Sequence, residues 1–239
     1  MNGKMGLFLV AMVLIAWLAA AGGARAQYSD LRITEAMSSS GTGGTVDWFE
    51  IANYGLTMVS LVGWTVDDSS YAFANSVALN GVTSLAAGES ALFLESAAGA
   101  AIESFRTFWG GIATVQIGYY SGSGLGLSAS GDGLVLFDSA GTEETPRVSF
   151  GAATTGSSFY YAYAANGDPE TSPNAAAIVS TPGTRYGQVT YTSADALGNV
   201  GSPGTAFASP IPEPATGALL GLGALGLFCY RRRVRRNQG

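Results

Sequence analysis

Between residues 27 and 208 the apolar residues fall into short runs of five to eight, each rich in β-branched or aromatic residues and bounded by Gly, Ser, Asn or Asp. Runs of this length and composition predict strands. They cover 31–37 (LRITEAM), 46–52, 59–66, 90–96, 113–117, 133–139, 146–150 and 158–163. In 133–139, Leu134 and Leu136 take one face and Val135 and Phe137 the other. Both faces of that strand are therefore covered, as on an inner strand. One stretch changes period. Ile102, Phe105, Phe108 and Trp109 recur at helical spacing, and Gly110 ends the run, which predicts one short amphipathic helix packed on the sheet. Glycines at 55, 131 and 133 stand where hairpins need a positive φ. Many short strands divided by glycine turns predict an all-β sandwich or barrel.

The two ends depart from this pattern. Lys4 precedes an apolar run from Met5 to Ala21, and Ala24, Arg25 and Ala26 follow with small-x-small spacing. This is the order of a secretory signal peptide over 1–26, cut between Ala26 and Gln27, which the general export (Sec) machinery handles. At the other end, residues 215–230 form an uncharged span of 16 residues. As a helix it would measure about 24 Å against a hydrocarbon core of about 30 Å. Pro212 and Pro214 stop a helix from extending upstream. Arg231, Arg232, Arg233, Arg235 and Arg236 hold their end of the span in the cytoplasm, so the body faces outward.

Charge sharpens this division. The chain has 239 residues and a net charge of −6, yet its interior between the two addresses has only Arg32, Arg106, Arg147 and Arg185 against all the acidic residues but Glu213. So acidic a body repels phosphate backbones, and nucleic acid is excluded as a partner. There is no histidine, and the single cysteine, Cys229, lies in the terminal span. His-dependent triads and ordinary zinc sites are absent from this inventory. No metal and no cofactor is expected.

Read in order, Pro212, Glu213 and Pro214, the span to Tyr230 and the arginine cluster resemble the PEP-CTERM sorting signal. The resemblance implies recognition by an exosortase, a membrane protease, with cutting near Pro-Glu-Pro. It also implies transient anchoring by the C-terminal helix and delivery to the cell surface or beyond. The body, through ITEAM (33–37), DWFEIANYG (47–55), LVGWTVDD (61–68), LAAGESALFLE (85–95), FRTFWGG (105–111), 125–141 and GNVGSPG (198–204), resembles the lamin tail domain. That implies an immunoglobulin-like β-sandwich over 27–208, with the sorting segment at 209–239. The resemblance departs at 55–62 and over 151–199, where a Gly/Ala/Ser-rich stretch reads as extra strands or a loop.

Candidate chemistry is sparse. Glu35 and Glu50 invite a reading as paired carboxylates, the arrangement glycoside hydrolysis needs. No spacing singles them out, and pairing with backbone groups or exposure at an edge is preferred, so no residue is assigned a catalytic role. Asp67-Asp68, with Asp30 or Asp47, reads as an exposed turn ahead of a calcium site. Tyr161 and Tyr163 share a face of a strand and form a candidate sugar-stacking platform. The sequence therefore predicts an exported, non-catalytic surface or matrix protein in an exopolysaccharide or biofilm setting. A carbohydrate-binding module and a secreted carboxylate hydrolase are the alternatives.

Overall fold

A computed structural model describes residues 29–41, 46–110, 112–121, 125–170, 175–181, 191–192 and 199–206. Ala24, Ala26 and Gln27 of the expected cleavage site, the Pro-Glu-Pro motif, the span 215–230 and the arginine cluster lie outside the described residues. Among the described residues no helix is long and apolar enough to cross a membrane.

The strands in chain order are β1 (Leu31–Met37), β2 (Trp48–Asn53), β3 (Val59–Ser60), β4 (Thr65–Asp67), β5 (Val77–Ala78), β6 (Ser84–Leu85) and β7 (Ser90–Glu95). Helix α1 (Ile102–Trp109) follows, then β8 (Gln116–Tyr120), β9 (Asp132–Phe137), β10 (Val148–Phe150), β11 (Phe159–Tyr161), β12 (Ala177–Val179), β13 (Tyr191–Thr192) and β14 (Val200–Gly201). A six-stranded sheet runs in the order β12-β11-β1-β2-β7-β8, and a four-stranded sheet in the order β10-β9-β4-β5. The pairings are antiparallel except β7 with β8, whose parallel alignment requires the crossover that α1 supplies. The Gly/Ala/Ser-rich stretch supplies β11 and β12, so it adds strands to the larger sheet.

The larger sheet is covered on both faces. One side chain set, including Leu31, Ile33, Phe49, Ile51 and Phe93, packs against Val66, Leu134, Leu136 and Phe150 of the smaller sheet. The alternate set, Trp48, Leu92 and Leu94, packs under Phe105 and Trp109 of α1. Strict alternation along Ala91, Leu92, Phe93 and Leu94 assigns one residue to each layer in turn. Trp48 therefore belongs to the helix layer, edge-on to Phe105 at 5.8 Å and to Trp109 at 5.9 Å, while Trp64 sits between the sheets.

Several expectations need correction. The run 59–66 is two strands separated by a turn in which Gly63 has φ 77°. The strand expected at 113–117 begins at Gln116 and includes Tyr119 and Tyr120, because Ile112 and Val115 pack in the helix layer first. Gly131 does take positive φ, 122°, but Gly55 and Gly133 do not. Gly55 is required by space, since a Cβ there would stand 2.5 Å from Asp30 Oδ2 and 2.8 Å from Asp30 Cβ. Tyr161 and Tyr163, 3% exposed each, belong to the core cluster between the layers. Their rings are buried by packing and do not form a sugar-stacking face.

Candidate functional site

The site begins with an irregularity in β1. Ile33 pairs with Ile51, but the next pair is Glu35 with Glu50, so Thr34 is an extra residue on β1. A bulge of this kind resets the alternation of faces. Without it, Glu35 would share the inter-sheet face of Leu31 and Ile33. With it, Ala36 points into that core, and Glu35 turns to the other face with Met37. Glu50, two residues from Trp48, lies on the same face directly opposite Glu35. The register continues across the sheet through Tyr160 on one side and Leu92 on the other. Both carboxylates are therefore central in a six-stranded sheet and 1% exposed, so of the two expected settings it is pairing with backbone groups that is found, not exposure at an edge.

Burial without partners is prohibitive for a carboxylate, and both are heavily supplied with donors. The Ser158 hydroxyl and the Ser202 backbone N–H (2.8 Å) donate to Glu35 Oε1, and the Ser202 hydroxyl donates to Oε2 at 2.9 Å. The Ser180 hydroxyl stands 2.7 Å from that of Ser158, whose own proton is committed to Glu35, so Ser180 donates into the chain. Glu50 accepts from the Thr34 hydroxyl at 2.8 Å and from the backbone N–H groups of Gly204 and Ala206. The bulged residue thus serves as a ligand to the pair it creates. Gly201 crosses above with no side chain. A Cβ there would meet Glu35 Oε1 at 2.9 Å, Ser158 Oγ at 3.0 Å and the Trp109 ring at 3.3 Å.

Loss of solvation pushes the Glu35 carboxyl up to about 7, against the hydrogen bonds from Ser158 and Ser202 that favour its charged form. Burial and then the neighbouring Glu35 charge push Glu50 well above the ordinary carboxylate range. Beside the pair is a cavity of about 30 Å³ lined by Thr34, Tyr54, Tyr160 and Ser202 among others. That is space for roughly one or two waters and far too little for a sugar ring. The arrangement can hold and release protons; it has no room to seat a substrate.

The remaining carboxylates are dispersed. Asp47 and Glu95 border a broad depression of about 480 Å³, and desolvation followed by the Glu95 charge raises Asp47 to about 6. Asp67 is not the exposed turn residue expected: it closes β4 fully buried, its Oδ2 accepting from Ser70 Oγ at 2.6 Å and Ala72 N at 2.7 Å. Among the described residues no three His, Cys, Asp or Glu side chains are placed to hold a metal ion.

Sequence reading did not find Ser158, Ser180, Ser202 and Gly204 as partners, because they lie 108 to 169 positions from the carboxylates, and the GNVGSPG motif that contains Ser202 and Gly204 does not say what it packs against. A usable signal was present on β1 and β2. A lone Glu stood inside each of two strongly apolar runs, where only a dedicated set of donors makes it tolerable.

Comparison with known families accounts for both parts of the chain. The family model of the Lamin Tail Domain matches residues 24–152, and that of the PEP-CTERM protein-sorting motif matches residues 210–233. No curated protein matches the chain. Glu35 and Glu50 lie inside the first match, whereas Ser158, Ser180, Ser202, Gly204 and Ala206 lie beyond it. With β1 to β10 inside a match that covers more than half of its residues, the chain belongs to the lamin tail domain family, and its C-terminal PEP-CTERM motif marks it as an exported protein sorted by an exosortase.

Proposed function

We propose that the protein is a non-catalytic structural or adhesive component of the cell surface or extracellular matrix, in an exopolysaccharide or biofilm setting. The observation that carries this reading is the sorting motif at 210–233 joined to a lamin tail domain. In this reading the Sec machinery exports the chain and removes residues 1–26. The span 215–230 then holds it in the membrane while an exosortase acts near Pro212, Glu213 and Pro214. Two features of the body support a role without turnover. The Glu35–Glu50 pair is sealed under residues 202–206, and Tyr161 and Tyr163 are committed to the core.

Fractionation and mass spectrometry of the native protein test the reading. The expected result is protein outside the cytoplasmic membrane that starts at Gln27 and lacks Arg231–Arg236. Recovery of the intact arginine-ended form in the cytoplasm would overturn it.

A further inference from the structure

Residues 199–206 are attached to the sandwich in two different ways. Their first part is held by ordinary backbone and side-chain bonds. Val200 N–H donates to Gly156 O at 2.6 Å, Ser158 N–H donates to Val200 O at 3.0 Å, and Gly41 N–H donates to Asn199 Oδ1 at 2.7 Å. Their second part, 202–206, is tied to the sheet through the carboxylates: Ser202 to Glu35, Gly204 and Ala206 to Glu50. The hydrogen bonds of Thr205 turn inward to Ser202 O.

The carboxylates are opposite each other in the register, and among the described residues the groups around them bring no compensating cation. Tyr54, Tyr160, Tyr161 and Tyr163 line the cavity beside them and bring only neutral phenols. Glu170 acts on Tyr54 and Tyr160 and helps to keep both phenols neutral. Arg32, on the same strand, donates from Nε to Gly167 O and from Nη1 to Ser29 O and Leu31 O. From α1, Trp109 packs beside Gly201 next to Glu35, while Arg106 engages the carbonyls of Ile112, Ala113 and Val115. β7 presents Leu92, and Ser180, just past β12, reaches only Ser158. Two full negative charges here are therefore set against each other in a water-poor site.

We propose that Glu35 and Glu50 form a proton-operated latch: residues 202–206 are docked while the pair keeps a proton and are released when both carboxyls are ionised. The upward displacement of both groups by burial brings that second ionisation to neutral pH or above, so docking is favoured by acid. Release lengthens the tether to the sorting motif. From Ala206 to Pro212 the chain reaches at most about 20 Å; from Gly201 it reaches about 38 Å. The room available to a membrane protease at its cutting site would then depend on the pH outside the cell. This last consequence rests on the sorting reading of 210–233; the latch does not.

Hydrogen exchange read by mass spectrometry on the full-length chain in detergent micelles tests the latch between pH 5.5 and 8.5, with rates corrected for intrinsic exchange. Amides of 202–206 are expected to lose at least tenfold protection toward the alkaline end, while those of β7 stay protected. In Glu50→Gln the protection of 202–206 should not vary with pH. Equal protection across the range, or the same loss in Glu50→Gln, would overturn the proposal, as would a parallel loss in β7. Should Glu50→Gln fail to fold, Thr34→Val removes one donor to Glu50 and is expected to move the midpoint to higher pH. An unmoved midpoint in that variant would equally overturn it.

Discussion

Glu35 and Glu50 show how one inserted residue determines the chemistry of a strand. Thr34 turns the Glu35 carboxyl away from an apolar core where nothing could satisfy it, and toward three donors, with three more on Glu50 beside it. The resulting pH dependence has a definite sign. Because the folded state raises Glu35 from an ordinary 4.5 to about 7, it binds a proton that the unfolded chain has released within that window. Stability contributed by this proton is complete below pH 4.5 and is lost as pH rises toward 7, with Glu50 extending the loss upward. Urea denaturation should show it as a fall on the order of 1.4 kcal/mol per pH unit for each proton retained. Glu50→Gln should remove the share of Glu50 and leave a shallower curve with the Glu35 fall retained, and an equally steep curve in that variant would refute the assignment. Gly201→Ala is the matching steric test. Its methyl meets Glu35, Ser158 and Trp109 within 3.3 Å, and a cost of about 1–3 kcal/mol is expected from overpacking.

At the level of elements, α1 is what allows the outer face of the larger sheet to be apolar. Phe105 and Trp109 cover Trp48, Leu92 and Leu94, and the crossover aligns β8 parallel to β7. Trp109→Ala should cost about 3–5 kcal/mol, measured as a lowered denaturation midpoint with loss of the near-ultraviolet Trp signal. This helix was legible in the sequence because four aromatic and aliphatic residues share one face over two turns. β7 and β9 were legible too, since each is buried on both sides and its interior is uninterrupted by polar residues, and β1 was legible from its apolar residues despite Arg32, Thr34 and Glu35. The run at 59–66 misled because its apolar residues continue through a turn, leaving Val62 exposed while Leu61 and Trp64 enter the core. The bulge escaped notice for a different reason. A threonine followed by a glutamate preserves an acceptable alternation on paper, and only the partner strand reveals the extra residue. Tyr161 and Tyr163 looked like a surface pair because their burial depends on the second sheet, which local pattern does not contain.

On the scale of the whole molecule, an acidic sandwich is followed by a segment matching a sorting motif at 210–233. Replacing Pro212, Glu213 and Pro214 together with alanine should leave the full-length form in the membrane fraction. Immunoblotting against the body would detect this as the absence of the shorter product, and unchanged processing would refute the role of the motif. The long reach of the Glu35 bonds has a consequence for biogenesis. Ser158 and Ser202 follow Glu35 by 123 and 167 positions. A chain made N-terminus first, at about 5–20 residues per second, leaves this acid without its partners for roughly 8 to 33 s. During that interval β1 can pair with β2, but its other edge stays open until β11 arrives. An open edge is a template for the wrong neighbour. Maturation of this domain is thus a race between its own late-made segment and any foreign strand that reaches the vacant edge first.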